Sequence, residues 1–261
     1  MNKRLTLFLA IVLCLFVNIA NAQVSITNST PYTQDFNTLI TAGTTTANPA
    51  PANWERYAAS VAGITMGVTA GTATSGGFYS TGTGTTTDRS LGFLLSSSSK
   101  PLYAGVKFIN NTGSAIVSAS VSYKCEQWRR GNSNAGVKDT LFFEYTNTTD
   151  SVHHGTWTNV PSLTGSSVNS SATVSALDGN TNSTTISGTI SGLAVPNGGT
   201  FWIRFNDYDI PGSEDILSVD DFSISFTTGT VAACTTPASS AINLVASPTG
   251  TTSIAGSFNA T

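Results

Sequence analysis

A chain of 261 residues has room for one large β domain, or for one domain and part of another. Only 10% of it is charged, against the ~25% usual in soluble domains, and Thr, Ser, Gly and Asn make up the difference. The formal charge is −3 and no long basic run occurs, which excludes an electrostatic nucleic-acid footprint. Thr suits a pleated strand while Gly, Ser and Asn suit turns, so the composition favours strands over helices.

Residues 1–22 read as a signal peptide. Lys3 and Arg4 form a positive start, Leu5 to Val17 is apolar, and Ala20, Asn21 and Ala22 supply a cleavage site that would leave Gln23 as the first mature residue. A membrane anchor fits less well, because a span needs about 20 apolar residues. A lipoprotein signal at Cys14 is disfavoured because Leu13 stands where a small residue is needed. The mature chain is therefore expected to be mildly acidic, secreted or held at the cell surface, and without a membrane span. Cys125 and Cys234 stay behind in it. They pair only if their Cα atoms come within about 7 Å; otherwise Cys125 is a small buried hydrophobe.

Val24 to Phe36 predicts a first strand kinked at Pro31, followed by a polar loop over Asn37 to Asn53. Short strands are predicted over Ile64–Val68, Phe78–Thr81 and Ser90–Leu95. Leu102, Ala104, Val106 and Phe108 then alternate with Tyr103, Gly105, Lys107 and Ile109, the pattern of a half-buried strand. The longest strand follows. Val117, Ala119, Val121, Tyr123 and Cys125 line one face of it, and Ser118, Ser120, Ser122, Lys124, Glu126, Trp128 and Arg130 line the other. Further strands are expected over Thr140–Thr146, near Trp157, and over Ala172–Leu177 and Thr185–Ile190. Thr200 to Phe226 reads as two apolar strands joined by an acidic turn, with Asp207, Asp209, Glu214, Asp215, Asp220 and Asp221 inside it. No segment after residue 22 keeps a 3.6-residue apolar period over three turns. Residues 23–230 are thus expected to form an all-β domain, an antiparallel β-sandwich of jelly-roll type.

From Thr227 the texture changes to a linker. Cys234-Thr235-Thr236-Pro237 then opens a segment in which Leu244, Val245, Ile254 and Phe258 punctuate polar residues, similar to the first strands of a fibronectin type III domain. Such a domain needs about 100 residues, so residues 231–261 read as a linker and a truncated copy.

Several short motifs carry a wider resemblance. Tyr32-Thr33-Gln34-Asp35-Phe36-Asn37-Thr38-Leu39, Trp54, Asp88-Arg89-Ser90-Leu91-Gly92, Asn110-Asn111-Thr112-Gly113, Glu126-Gln127-Trp128-Arg129 and Asp220-Asp221-Phe222 resemble a jelly-roll accessory module of secreted Bacteroidota surface proteins. The resemblance spans about Thr30 to Phe226. It implies a module at the N-terminus of a larger multidomain chain, and it assigns no activity to these positions.

Two sets of site residues follow from the residues themselves. Trp128 shares a strand face with Glu126 and Arg130, and Trp202 shares one with Arg204 and Tyr208; together they are candidates for an aromatic platform that binds a glycan or a surface protein. The competing reading is structural, with Glu126 or Glu144 paired to Arg129 or Arg204 and the tryptophans packed under a loop. Asp35, Asp215 and Asp220 are candidates for a structural Ca²⁺ site, since a hard cation needs several oxygen ligands, although their spacing matches no EF-hand and turn acids are often simply solvated. Adjacent His153 and His154 would point to opposite faces of a strand, a poor arrangement for one metal. No Gly-x-Ser-x-Gly or His-Glu-x-x-His motif occurs. The expected function is non-catalytic extracellular binding or adhesion, with an accessory domain of an extracellular hydrolase, such as a nuclease, as the alternative.

Overall fold

The computed structural model describes residues 23–47, 51–84, 86–149 and 151–230. The predicted signal peptide, Cys234 and the fibronectin-like segment lie outside the described residues.

Strands come in the order β1 (Val24–Ile26), β2 (Tyr32–Gln34), β3 (Trp54–Ala58), β4 (Met66–Thr69), β5 (Gly77–Thr81), β6 (Ser90–Leu94), β7 (Leu102–Asn110) and β8 (Ala115–Arg130). After them come β9 (Thr140–Thr146), β10 (Thr158–Asn159), β11 (Gly165–Ser166), β12 (Ser175–Ala176), β13 (Ser183–Val195), β14 (Thr200–Tyr208) and β15 (Ile216–Gly229). A helical turn, α1 (Val61–Ile64), and a 3₁₀ turn over Pro161–Leu163 are the helical elements among the described residues. In the first sheet, β1 and β3 share one edge of β7, β14 and β9 follow, and β10 and β11 share the outer edge of β9. In the second, β12 and β13 share one edge of β8, β15 follows, its far side is divided between β6 and β2, and β5 and β4 extend from β6. The expected jelly-roll sandwich is the fold.

Its sheets are mixed rather than wholly antiparallel, because β1 pairs with β7 and β4 with β5 in parallel. β1 meets β7 far along the chain, where no hairpin dictates direction. The predicted strand over Val24 to Phe36 is in fact two strands in different sheets, the break falling across the segment that contains Pro31. β3 and β11 had no counterpart in the sequence reading.

Alternation along the strands places the core. Phe201, Ile203 and Phe205 of β14 and Ala119, Val121, Tyr123 and Cys125 of β8 point inward, and Tyr123 meets Phe205 edge-on at 4.9 Å between ring centres. Val117 departs from the predicted face. The ladder with β15 shifts register between Thr227 and Thr228, so Ile116 fills the core there instead. Another shift, between Asp220 and Ser223, coincides with Asp221 at φ 48° and marks the place where β15 exchanges β6 for β2. Cys125 is buried and free, and burial pushes its thiol up to about 12, so it packs as a hydrophobe.

Candidate functional site

The two tryptophan faces do not form one platform. Glu126, Trp128 and Arg130 belong to the second sheet and Trp202, Arg204 and Tyr208 to the first. Trp128 is 1% exposed, packs on Leu94, Ile216, Ala73 and Tyr79, and donates Nε1–H to Glu126 Oε2 at 2.8 Å. The same oxygen accepts from the Ser90 hydroxyl at 2.7 Å, and burial raises the Glu126 carboxyl. Two backbone segments lie on this tryptophan. A Cβ on Gly71, at φ +90°, would come within 1.9 Å of the Trp128 carbonyl oxygen, and one on Gly179 within 2.3 Å of the indole. Arg130 is fully buried against Asp215, at 3.3 Å. On the second sheet, therefore, these residues tie loops down: Trp128 is packed under a loop as the structural alternative has it, but Glu126 bonds to Trp128 and Ser90 rather than to Arg129, and Arg130 bonds to Asp215.

The three candidate cation ligands are also apart. Asp215 is buried and its oxygens accept from Arg130, Gln127, Ser167 and the Gly131 amide. Asp220 is buried farther along β15, where burial and then the neighbouring Glu126 push its carboxyl up to about 7. Asp35 is exposed, beside Asp221 on a shallow groove. Among the described residues no three His, Cys, Asp or Glu side chains gather as a metal site.

The outer face of the first sheet differs. Register sets its side chains in rows across β3, β7, β14 and β9. One row runs Tyr57, Tyr103, Asn206, Phe142, and the next runs Glu55, Gly105, Arg204, Glu144. Three inter-strand steps of about 4.8 Å set Tyr57 about 14 Å from Phe142. Tyr57 and Tyr103 stack at 6.1 Å, and Phe142 meets Tyr208 edge-on at 5.1 Å, with Tyr208 53% exposed.

Arg204 is the hinge of this face. Its Nε donates to Glu144 Oε2 at 2.6 Å and its Nη1 to the Val152 carbonyl at 2.8 Å. The guanidinium lies 3.9 Å from the Tyr103 ring centre and 4.1 Å from that of Trp157, so the cation is flanked by two aromatic faces. Gly105 makes room for this. A Cβ there would stand 2.2 Å from the Ile203 carbonyl oxygen and 2.9 Å from the Arg204 Cβ. Segment 151–157 crosses the same face. His153 stacks flat on Tyr57 at 4.0 Å and 3°, and Trp157 donates its Nε1–H to the His154 carbonyl at 2.7 Å. His153 and His154 lie outside any strand with rings 3.9 Å apart, not on opposite faces as strand geometry implied. Burial, followed by His154 and Arg204, lowers the His153 pKa.

Of the sequence candidates, then, Arg204 and Tyr208 belong to this face. Trp202 shares its outward side but is fully buried, with the Lys107 ammonium 5.9 Å from its ring. Tyr57, Tyr103, Phe142 and Trp157 were missed. The outward half of the β7 alternation already contained Tyr103; the others needed the sheet order.

No protein-family model matches the chain, and no curated protein does. Among solved structures it is similar to the CBM22-1 xylan-binding domain from Paenibacillus barcinonensis Xyn10C, at 11% identity over 78% of this chain and 99% of that one, with a TM-score of 0.37. It is also similar to the K3 cleaved adhesin domain of Lys-gingipain from Porphyromonas gingivalis w83, at 12% identity over 69% of this chain and 93% of that one, TM-score 0.41. The K2 adhesin domain of Lys-gingipain gives 15% identity over 77% and 100%, TM-score 0.38. At such identities and scores these likenesses carry no argument about what this chain binds. Among the described residues no helix is long and apolar enough to cross a membrane.

Proposed function

We propose that this chain is a non-catalytic binding module of an exported protein that takes a glycan on the outer face of the first sheet. The observation that carries this reading is the row Tyr57–Tyr103–Asn206–Phe142, flanked by Arg204 and Trp157, on a rigid four-stranded support. Tyr208, Phe142 and Trp157 present apolar area for the faces of sugar rings, while Tyr57 and Tyr103, one covered by His153 and the other by Arg204, hold that surface in place, and Asn206 supplies an amide that can donate and accept. Arg204 is already neutralised by Glu144, which favours an uncharged sugar over an acidic one. Export rests on the signal-like residues 1–22.

Screening the full chain on a glycan array, followed by titration of each hit, tests the assignment. Tyr103→Ala and Trp157→Ala are each expected to weaken binding about tenfold, equivalent to about 1.4 kcal/mol. Tyr79→Ala, on the second sheet, leaves binding unchanged. Hits indifferent to both first-sheet changes, or lost with Tyr79→Ala alone, would remove the proposed face.

A further inference from the structure

At one end of the sandwich three carboxyl groups are buried together without a cation of their own. Asp139 precedes β9 and is fully buried; Asp207 lies near the end of β14 at 4% exposure; Glu214 lies in the β14–β15 connection at 7%. Asp139 Oδ1 accepts from the Thr140 amide at 2.7 Å and Oδ2 from the Asp215 amide at 3.0 Å. Glu214 Oε1 accepts from the Ile210 amide at 3.0 Å, and its carboxyl faces that of Asp139 within hydrogen-bonding reach. Asp207 Oδ2 and Glu214 Oε2 are buried and receive no donor from the described residues.

The surrounding charges are already committed. Arg130 is bonded to Asp215, and Lys100 to the exposed Asp209 at 2.7 Å. Arg129 lines the same cleft as Glu214 but forms no ion pair with it. Beneath them, Cys125 is buried and carries its proton. Beyond the amides that already donate to them, three carboxylates in this setting would face the like charges of one another, Asp209 and Asp215, whereas a carboxylic acid brings its own donor.

We propose that Asp139, Asp207 and Glu214 form a proton-sharing lock that holds segment 209–215 on the end of the sandwich and releases it as pH rises. Asp215 anchors the far end of the segment through Arg130, Gln127, Ser167 and the Gly131 amide, and Lys100 holds Asp209, but the stretch between them has few polar ties besides the lock. Asn132 Nδ2 donates to the Pro211 carbonyl at 2.9 Å, and a Cβ on Gly131 would strike the Glu214 carbonyl oxygen at 1.8 Å, so the 131–139 and 209–215 backbones are in direct contact. When Glu214 ionises it has a way out, since the cleft lined by Leu95, Ser96, Lys100, Arg129 and Asp209 opens beside it.

The direction of the pH dependence follows from linkage. Burial raises Asp139 and Asp207 well above the usual carboxyl range and lifts Glu214 to about 7. The native state thus keeps protons that the unfolded chain releases above its ordinary carboxyl values. Stability is fully present at low pH and is lost as pH rises through that window, to about 7 for Glu214.

The test is urea unfolding of the full chain between pH 4.5 and 8.5, with hydrogen exchange at the Ile210 and Asp215 amides. Each retained proton lowers the folding constant about tenfold per pH unit. Glu214→Gln should therefore recover up to about a hundredfold of the loss between pH 5 and pH 7. Asp207→Asn should flatten the profile likewise and slow exchange at both amides at pH 8, while Asp209→Asn leaves the profile unchanged. If Asp207→Asn fails to fold, Glu214→Gln at the cleft wall still decides the matter. A profile equally steep in wild type and Glu214→Gln would overturn the lock. Millimolar Ca²⁺ restoring wild-type stability at pH 8 but not that of Glu214→Gln would also overturn it, by assigning the carboxyls to a cation.

Discussion

Replacing Asp215 with alanine is expected to cost about 3–5 kcal/mol of stability, since removing one partner of a buried ion pair leaves the other charge uncompensated. Asp215 and Arg130 are both completely buried. Arg130 also donates to the carbonyls of Ser171 and Asn134, each at 2.8 Å, so it cannot swing out to water without breaking two further bonds. The carboxylate serves more than the arginine. It accepts from Gln127 at 2.8 Å, from Ser167 at 2.5 Å and from the Gly131 amide at 2.6 Å, so alanine strands several donors at once. These bonds join β8, β15, the 131–134 turn and the β11–β12 connection. Chemical denaturation of Asp215→Ala, Arg130→Ala and the double variant would measure the effect. Either single change should be severe and the double change less than additive; a cost below about 1 kcal/mol for Asp215→Ala would contradict the account, being the range of a solvent-exposed pair.

That pair also shows where the sequence stops being legible. Alternation in Val117 to Arg130 and in Thr200 to Phe226 predicts the two strands that carry most of the core, because period-two burial is a local property of a strand. It predicts Tyr123 and Phe205 inside, and both are. It also predicts that Trp128 and Arg130 face away from that core, which is true, but an outward face is exposed only if nothing later in the chain covers it. The backbone at Gly179 and the side chains of Ala73 and Tyr79, distant from Trp128 in sequence, do cover it, and no periodicity reports that. Parallel pairing of β1 and β4 is hidden for a similar reason, since direction depends on connections across the fold. The binding face follows the same logic in reverse. Tyr57 stands on β3, a strand too mixed in character to be predicted, with charged Glu55 and Arg56 interrupting its apolar residues. Trp157 reaches Arg204 through an irregular segment whose path no spacing rule fixes.

Trp54→Ala is expected to cost about 3–5 kcal/mol, the range for removing a large buried aromatic. Trp54 is completely buried at the start of β3. It meets Phe36 at 5.1 Å and Phe222 at 5.5 Å edge-on, stacks on Phe205 at 6.2 Å, and donates its indole N–H to the Tyr32 hydroxyl at 3.1 Å. It thus joins side chains from both sheets. Phe36 sits at φ 55°, a left-handed conformation that costs a bulky residue about 1–3 kcal/mol and persists only where its surroundings hold it. The indole is one wall of that hold. Trp54→Phe keeps most of the ring area and loses the N–H, so its cost should be smaller, about 1–3 kcal/mol. The consequence reaches the outer face, because among the described residues β3 pairs with β7 alone, and it also carries Tyr57. Under conditions where Trp54→Ala remains folded, its glycan affinity should fall alongside its stability, whereas the equally severe loss from Asp215→Ala at the other sheet should spare affinity. Equal binding by both folded variants would separate β3 from the site.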